Sequence, residues 1–197
     1  MQTVHRGRHA LATLDAAGIG QLTLTDAGAL NIIGSAAMQD LCTALALLRD
    51  HADLRVLVLR GSGDRAFIGG ADIGEMAALT PAAARIFITQ LAGLCDAVAT
   101  LPVPVIARLG GWCLGGGLEV AMVCDLRVCD DSAMFGMPEV KVGIPSVIHA
   151  ALLPRLIGHS RAAAMLLTGQ TIDADRAEAW GLITERCAVG RLDERVQ

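Results

Sequence analysis

Hydrophobic positions follow two patterns along the chain: a helical periodicity, and short continuous apolar runs that are typical of buried strands. A helix with one face on a core is predicted for SAAMQDLCTALALLRD, which starts at a Ser35 cap and has apolar residues at 38, 41, 45 and 48. A second helix is predicted for TPAAARIFITQLAGLCDAVAT, because a Thr-Pro pair suits a helix cap and first turn. Buried strands are predicted for LRVLVLRG, PVPVIARLGG and LRVC, which are short and almost continuously apolar.

Helices and strands therefore alternate along the chain. LGGGLEVAMVCD predicts a helix between two of the strands, Ser160 is expected to cap RAAAMLLTG, and DADRAEAWG predicts one further short helix. This order predicts βαβ units, a mostly parallel sheet and an α/β fold. The 197 residues fit a single domain, 1–197. Sheets of this kind bind ligands at the loops beyond their strand ends.

Composition narrows the classes of function. Apolar residues make up 53% of the chain, but Arg, Asp, Gly or Pro interrupts each run, so no membrane span is expected. The net charge of −4 without a dense basic run argues against nucleic-acid binding. The six cysteines form no CxxC pair, which favours buried free thiols over disulfides or a metal site. The start, MQTVHRGRHALATLD, lacks a secretory signal pattern, and a cytoplasmic location is expected.

Two glycine-rich loops each lie between a predicted strand and a predicted helix. One is Gly115–Gly117 ahead of Glu119, and the other contains Gly69 and Gly70 ahead of Asp72. Neither has Walker or dinucleotide-binding spacing. Free N–H groups from two such loops can converge on one oxygen as an oxyanion hole, which contributes about 3–4 kcal/mol per donor to a transition state. A tight turn with an exposed Glu119 is the simpler alternative.

The other carboxylates near these loops can be interpreted as structural or solvent-exposed residues. Asp72 and Glu75, three residues apart, are predicted to be a helix cap and its reciprocal partner. Glu139 follows a proline after the third strand and, considered alone, would be a solvated loop residue.

The combination of motifs resembles a known family. AFIGGADIGEM, GGWCLGGGLEVAMVCDLRV and MFGMPEVKVGIP, in this order, are similar to motifs of the enoyl-CoA hydratase/isomerase (crotonase) family. ALNIIGSAAMQDL and LPRLIGHSRAAAMLLTGQTIDADRAEAWGLI extend the resemblance from about Leu11 to the end of the chain. It implies a crotonase-like ββα spiral of parallel sheet layers and helices. It also implies that C-terminal oligomerisation helices are missing or truncated here, and that the full-length protein is a homotrimer or homohexamer.

The resemblance further implies a site for acyl-CoA thioesters of fatty acid metabolism, with coenzyme A part of the substrate and no metal or separate cofactor. The amides of Gly69 and Gly116 would hold a thioester enolate. Glu139 would be the main proton donor, and Glu119 would hold and activate water for addition to a C=C bond. The residues expected along the coenzyme are Gly69, Gly70, Ala71, Asp72 and, in the Ala-Leu-Asn stretch, Ala29.

The chain departs from the family pattern at two places. Gly74 stands where a basic residue often follows Asp-Ile, which weakens one expected phosphate contact. GIPSVIHAAL lacks glycines that usually follow the proline, and places Ser146 and His149 at two of those positions. Ser146 is predicted to cap a helix rather than to act as a nucleophile, and His149 is either a packed neutral histidine or a neighbour of the catalytic water. The sequence does not identify the acyl group of the substrate.

Other functions remain as alternatives. Double-bond isomerisation or C–C or C–X cleavage could proceed through the same enolate, although the retained glutamate pair favours hydration. A non-catalytic or RNA-binding relative would need neither both carboxylates nor both glycine loops. A serine peptidase of related fold would need a Ser-His-Asp set, and none lies on the matching loops.

Overall fold

The computed structural model describes residues 1–197 and contains eleven strands, eight α-helices and two 3₁₀-helices. The strands are β1 (Gln2–Arg6), β2 (Ala10–Leu14), β3 (Ile19–Leu24), β4 (Val56–Gly61), β5 (Ala66–Ile68), β6 (Val105–Leu109), β7 (Trp112–Leu114), β8 (Leu126–Asp130), β9 (Met134–Gly136), β10 (Thr171–Asp173) and β11 (Glu185–Cys187). The α-helices are α1 (Ser35–Arg49), α2 (Ile73–Ala77), α3 (Pro81–Ala99), α4 (Gly116–Met122), α5 (Leu153–Ile157), α6 (His159–Thr168), α7 (Ala174–Trp180) and α8 (Leu192–Arg195). The 3₁₀-helices are Pro138–Val142 and Ala150–Leu152.

The larger sheet has seven strands in the order β1-β2-β3-β4-β6-β8-β11. The N-terminal strands β1, β2 and β3 pair antiparallel, and every pairing from β3 to β11 is parallel. Helix α1 packs on α3 and on β2 and β3, which buries its apolar stripe in the core. The predicted α/β fold with a mostly parallel sheet is confirmed.

The smaller sheet has four strands in the order β10-β9-β7-β5, and β5, β7 and β9 run parallel. Each of these three short strands follows a strand of the larger sheet and precedes a helix: β4-β5-α2, β6-β7-α4, and β8-β9 with the 3₁₀-helix Pro138–Val142. The chain thus repeats a ββα unit, as the resemblance implied. The carboxyl ends of β5, β7 and β9 meet at one edge of the small sheet.

The long predicted elements are confirmed, but two of the predicted caps are wrong. Thr80 caps α3 by accepting a bond from Ala83 N at 3.3 Å. Ser35 does not cap α1, because the N-cap is Gly34 and Ser35 is already helical. Ser160 lies inside α6, which begins at His159 after Gly158. The three-residue strands of the small sheet were not predicted, because they are too short to show a period.

Asp72 and Glu75 bind the first turns of two different helices. Asp72 Oδ1 accepts bonds from Gly74 N at 2.9 Å and Glu75 N at 3.0 Å, which confirms the cap of α2. The reciprocal role of Glu75 is wrong, because Asp72 N already donates to Ile33 O at 3.0 Å. The Glu75 carboxylate instead accepts from Ser35 N and Ser35 Oγ, at 3.0 and 2.5 Å, and so satisfies the first turn of α1.

Helix α3 is long and apolar enough to cross a membrane by length and composition, with a mean hydropathy of 1.4. The expectation that no segment qualifies as a membrane span is therefore wrong for α3 by this criterion, although Arg85, Gly93 and Asp96 interrupt its apolar run as predicted. This is weak evidence for a span, since core helices of soluble proteins pass the same test. One side of α3 packs into the core through Phe87, Leu91, Leu94, Cys95 and Val98.

The cysteines are all free, as predicted, and four of the six are buried. Burial raises the pKa of the Cys124 and Cys129 thiols to about 12, so both stay protonated at neutral pH. They act as small apolar groups in the core.

The buried guanidinium of Arg127 binds backbone carbonyls at the end of α4. Arg127 Nη1 donates to Cys124 O, just beyond the helix, at 2.6 Å and more weakly to Ala121 O and Met122 O in its last turn. Arg127 Nε donates to Leu182 O at 2.7 Å, which ties the segment after α7 to the same helix end. A cation at this position also complements the negative end of the helix dipole.

We expect Arg127→Met to lower the free energy of unfolding by about 3 kcal/mol or more, because Cys124 O and Leu182 O lose the donors that the guanidinium supplies. Arg127→Lys should recover only part of this loss, since one ammonium cannot reach both Leu182 O and the helix end. Urea unfolding followed by circular dichroism measures both. Equal stabilities of wild type and Arg127→Met would contradict the assignment.

Candidate active site

The loops after β5, β7 and β9 surround a cavity of about 610 Å³. The loop after β5 contributes residues 69–72, the loop after β7 contributes Gly115 and Gly116, and the segment after β9 contributes Pro138 and Glu139. Leu91 and Ile88 of α3 form part of an apolar wall, and Glu119 reaches the cavity from α4. Both glycine loops and both glutamates predicted from the sequence therefore line one cavity.

Each of the three glycines before Glu119 has a different structural role. Gly115 has a φ of 52°, which favours glycine, and a Cβ there would lie 3.1 Å from Glu139 Oε1. A Cβ at Gly117 would overlap the carbonyl oxygen of Ile68, so this glycine lets α4 start directly against β5. Gly116 is the first residue of α4, where N–H groups have no acceptor within the helix. Its amide lies at the cavity, at the positive end of the helix dipole.

In the other loop, the free amide belongs to Ala71 and not to Gly69. Gly69 N donates to Leu30 O at 2.8 Å, so the prediction of Gly69 as an oxyanion donor is wrong in this structure. Ile33 N donates to Gly70 O and Ile33 O accepts from Asp72 N, both at 3.0 Å, whereas Ala71 N has no acceptor.

The conformation of Gly70 explains why the Ala71 N–H group has no acceptor. In an extended chain, N–H groups three residues apart point to opposite sides, yet those of Gly69 and Asp72 both point to the segment 30–33. Gly70, with a φ of 124°, turns the backbone between them and leaves the N–H of Ala71 on the other side of the loop. The sequence signal for this donor was the pair of glycines, but the sequence did not tell which N–H group stays free.

Glu119 is buried, with 3% of its surface exposed, and its position is fixed by backbone amides. Glu119 Oε1 accepts bonds from His149 N at 2.9 Å and Ala150 N at 3.0 Å. Burial raises the pKa of Glu119, the nearby Glu139 raises it further, and the amide hydrogen bonds oppose both effects. The alternative of an exposed glutamate at the helix start is wrong.

Glu139 lies in the 3₁₀-helix Pro138–Val142 and is also turned inward. Its Oε2 is buried and has no hydrogen-bond partner in the protein. Burial raises the pKa of this carboxyl group, while the side chain of Ser146 lowers it in part. A carboxyl group in this setting favours the protonated form more than a solvated glutamate does.

The remaining predicted site residues have mixed outcomes. Gly70, Ala71 and Asp72 line the cavity, whereas Ala29 is exposed and outside its lining, so its contact with the coenzyme stays a prediction. Ser146 does not cap a helix, because residues 144–149 are irregular and the next helix begins at Ala150. His149 holds Glu119 through its backbone, and its Nε2 lies 3.6 Å from Asp96 Oδ1 on α3.

Fold and site together define a ββα-spiral protein with two backbone amides and two inward-facing carboxyl groups around an apolar cavity. The family model of enoyl-CoA hydratase/isomerase matches residues 15–196. The chain belongs to the enoyl-CoA hydratase/isomerase family.

Curated relatives and solved structures agree with this membership. A probable enoyl-CoA hydratase of Mycobacterium bovis is 40% identical over 167 residues, which cover 84% of this chain and 64% of that protein. A crotonyl-CoA hydratase of Syntrophomonas wolfei is 36% identical over 158 residues, which cover 80% of this chain and 61% of that protein. The crystal structure of an enoyl-CoA hydratase from Bacillus anthracis superposes with a TM-score of 0.91 at 31% identity, over 95% of this chain and 73% of that one. The chain thus spans less than two thirds of the length of these curated relatives.

We expect Glu139→Gln to raise the melting temperature at pH 7. Because burial raises the folded-state pKa of Glu139 above its ordinary value of 4.5, the folded protein binds more protons than the unfolded chain between these two pKa values. Stability is therefore lost as pH rises through this window, and a neutral amide avoids the loss. The difference between variant and wild type should nearly vanish below pH 4.5. Differential scanning fluorimetry across this range measures it.

The matched control is Asp53→Asn, which neutralises an exposed carboxyl group remote from the cavity. It should show no such pH-dependent gain. A Glu139→Gln protein that melts below wild type at pH 7 would contradict the destabilising effect of the buried carboxylate.

Proposed function

We propose that this chain is the acyl-CoA-binding and catalytic part of an enoyl-CoA hydratase, which adds water across the 2,3 double bond of an enoyl-CoA thioester. One observation supports this most directly: the buried Glu119 and the half-buried Glu139 line the same apolar cavity as the amides of Ala71 and Gly116. The names of the relatives, including the crotonyl-CoA hydratase, point to the same reaction.

The two amides would act on the thioester carbonyl. Its oxygen accepts N–H bonds from Ala71 and Gly116, so negative charge that develops on this oxygen is stabilised as water attacks C3. The dipole of α4 acts in the same direction, because Gly116 is at its N-terminus. The free-energy barrier to forming the thioester enolate would then be lower.

The two carboxyl groups would divide the proton transfers. Glu119, whose Oε1 is held by two amides, accepts a proton from water through its other oxygen as the water oxygen bonds to C3. Glu139, whose pKa is raised by burial, donates its proton to C2 as the enolate collapses. A proton moves from Glu119 back to Glu139 through solvent after product release, so atoms and charge balance over one cycle.

The apolar walls favour a hydrocarbon acyl group, and residues 69–72 would line the path of coenzyme A. We extend the proposal to a cytoplasmic location and to a homotrimer or homohexamer of the complete protein. Double-bond isomerisation and C–C or C–X cleavage use the same enolate and are the alternatives that the assay must separate.

We expect Glu119→Gln and Glu139→Gln each to lower kcat for hydration of crotonyl-CoA by about 10²–10⁴-fold, because each removes one proton-transfer group. The loss of enoyl-thioester absorbance measures the rate. The control is Glu178→Gln, which changes an exposed glutamate on α7 and should leave the rate unchanged.

If the wild-type protein binds crotonyl-CoA but adds no water, the hydratase proposal is wrong, and 3-enoyl-CoA would then be tested as an isomerase substrate. If it hydrates crotonyl-CoA and both variants retain the rate, the assigned roles of the two glutamates are wrong.

The Ala71 amide can be removed without changing any side chain. We expect replacement of Ala71 by lactic acid, which exchanges the backbone N–H for an ester oxygen, to lower kcat by about 10²–10³-fold. The same exchange of Gly69 for glycolic acid should reduce stability, because it breaks the bond to Leu30 O, and should affect kcat far less. A larger kcat loss for the change at Gly69 would restore Gly69 as the donor.

A further inference from the structure

Asn31 is a fully buried polar residue in an unfavourable backbone conformation. None of its surface is exposed, and its φ of 52° lies in the left-handed region. Asparagine tolerates this region better than most residues, but it still costs more there than glycine. Asn31 does not line the cavity, so direct contact with a substrate does not explain it.

The side chain of Asn31 joins the segment before α1 to the start of β5. Asn31 Nδ2 donates to Ala66 O at 2.7 Å and to Ser62 O at 3.1 Å, which are carbonyls at the β4–β5 turn. A Cβ at Gly61 would overlap Nδ2, so a glycine lies where the amide group enters. These bonds fix residues 30–33 relative to β5.

The same segment holds the loop that follows β5. Leu30 O accepts from Gly69 N at 2.8 Å, and Ile33 bonds to both Gly70 O and Asp72 N at 3.0 Å. These contacts on either side of Gly70 keep its φ at 124° and turn the Ala71 N–H away from the segment. Asn31 therefore lies at the origin of a continuous set of hydrogen bonds that ends at the free amide.

We propose that Asn31 is a positioning residue that holds the Ala71 N–H in the oxyanion hole. This inference rests on the proposed function, because it assigns that amide a role in polarising the thioester. Without the Asn31 side chain, residues 30–33 lose their attachment to β5, the backbone at Gly70 relaxes, and the Ala71 N–H moves from its place. Binding of the acyl-CoA would change little, because the apolar wall formed by Ile88 and Leu91 of α3 remains.

The test uses Asn31→Gly, since glycine adopts the left-handed conformation without strain and the side-chain bonds are removed. We expect kcat for crotonyl-CoA hydration to fall by about 10–100-fold, less than for complete removal of a donor, with KM changed by less than about threefold. The spectroscopic readout is 2,4-hexadienoyl-CoA, whose absorbance shifts to longer wavelength when its thioester carbonyl is polarised. This shift should shrink in Asn31→Gly.

A second variant tests the same amide from the loop side. Gly70→Ala keeps all the bonds of Asn31 but strains the backbone at a φ of 124°, and it should show the same decrease in kcat and in the red shift. The control is Asp40→Asn, which weakens a part-buried cluster with His5, His9 N and Ala10 N outside the cavity. Asp40→Asn should lower the melting temperature without changing kcat or the red shift.

The outcomes separate the two proposals. A folded Asn31→Gly protein with wild-type kcat and wild-type red shift would overturn the positioning role alone. A wild-type protein that neither hydrates crotonyl-CoA nor shifts the absorbance of the diene probe would overturn the proposed function. Equal losses in Asn31→Gly and Asp40→Asn would show a general effect of stability and would also overturn the positioning role.

Discussion

The pairing of β5, β7 and β9 is the constraint on which the site depends. These strands are three residues long and would not be stable alone, so the larger sheet and its helices must hold them in place. Because they are neighbours and parallel, the loops at their carboxyl ends converge: one contains the Ala71 amide, one leads into α4, and one carries Glu139. A shift in register between β5 and β7 would separate the two amides and change the reaction that the cavity can support.

The backbone polar groups at the two ends of helix α4 have different surroundings. At its start, glycines allow close contact with β5 and leave an N–H group at the cavity. At its other end, Arg127 donates to Cys124 O and more weakly to two carbonyls of the last turn. The body of the helix can therefore be entirely buried, and Glu119 is the sole ionisable group within it. The hydrogen bonds from His149 N and Ala150 N offset part of the cost of that burial.

The site retains unfavourable features that a structure selected only for stability would lack. Glu139 Oε2 is buried without a partner, the two carboxyl groups repel each other, and Asn31 has a positive φ. The two carboxyl groups line the cavity, and Asn31 holds the segment that supports one of its loops. Such unfavourable groups persist only where the surrounding hydrogen bonds and packing are strong enough to hold them, as the sheet and α4 are here.

The long elements, the α/β class and the two glycine loops could be predicted from the residues, because apolar periodicity and local backbone chemistry depend on neighbours in the chain. The sequence implied the glutamate pair only through its resemblance to the enoyl-CoA hydratase/isomerase family. It did not determine the small sheet, the partner of Glu75 or which amide stays free. Those depend on contacts between segments far apart in the chain: Ser35 with Glu75, Leu30 with Gly69, and Asn31 with Ala66. The direction of one N–H group follows from the rotation of a single peptide unit at Gly70, and only long-range hydrogen bonds fix that rotation.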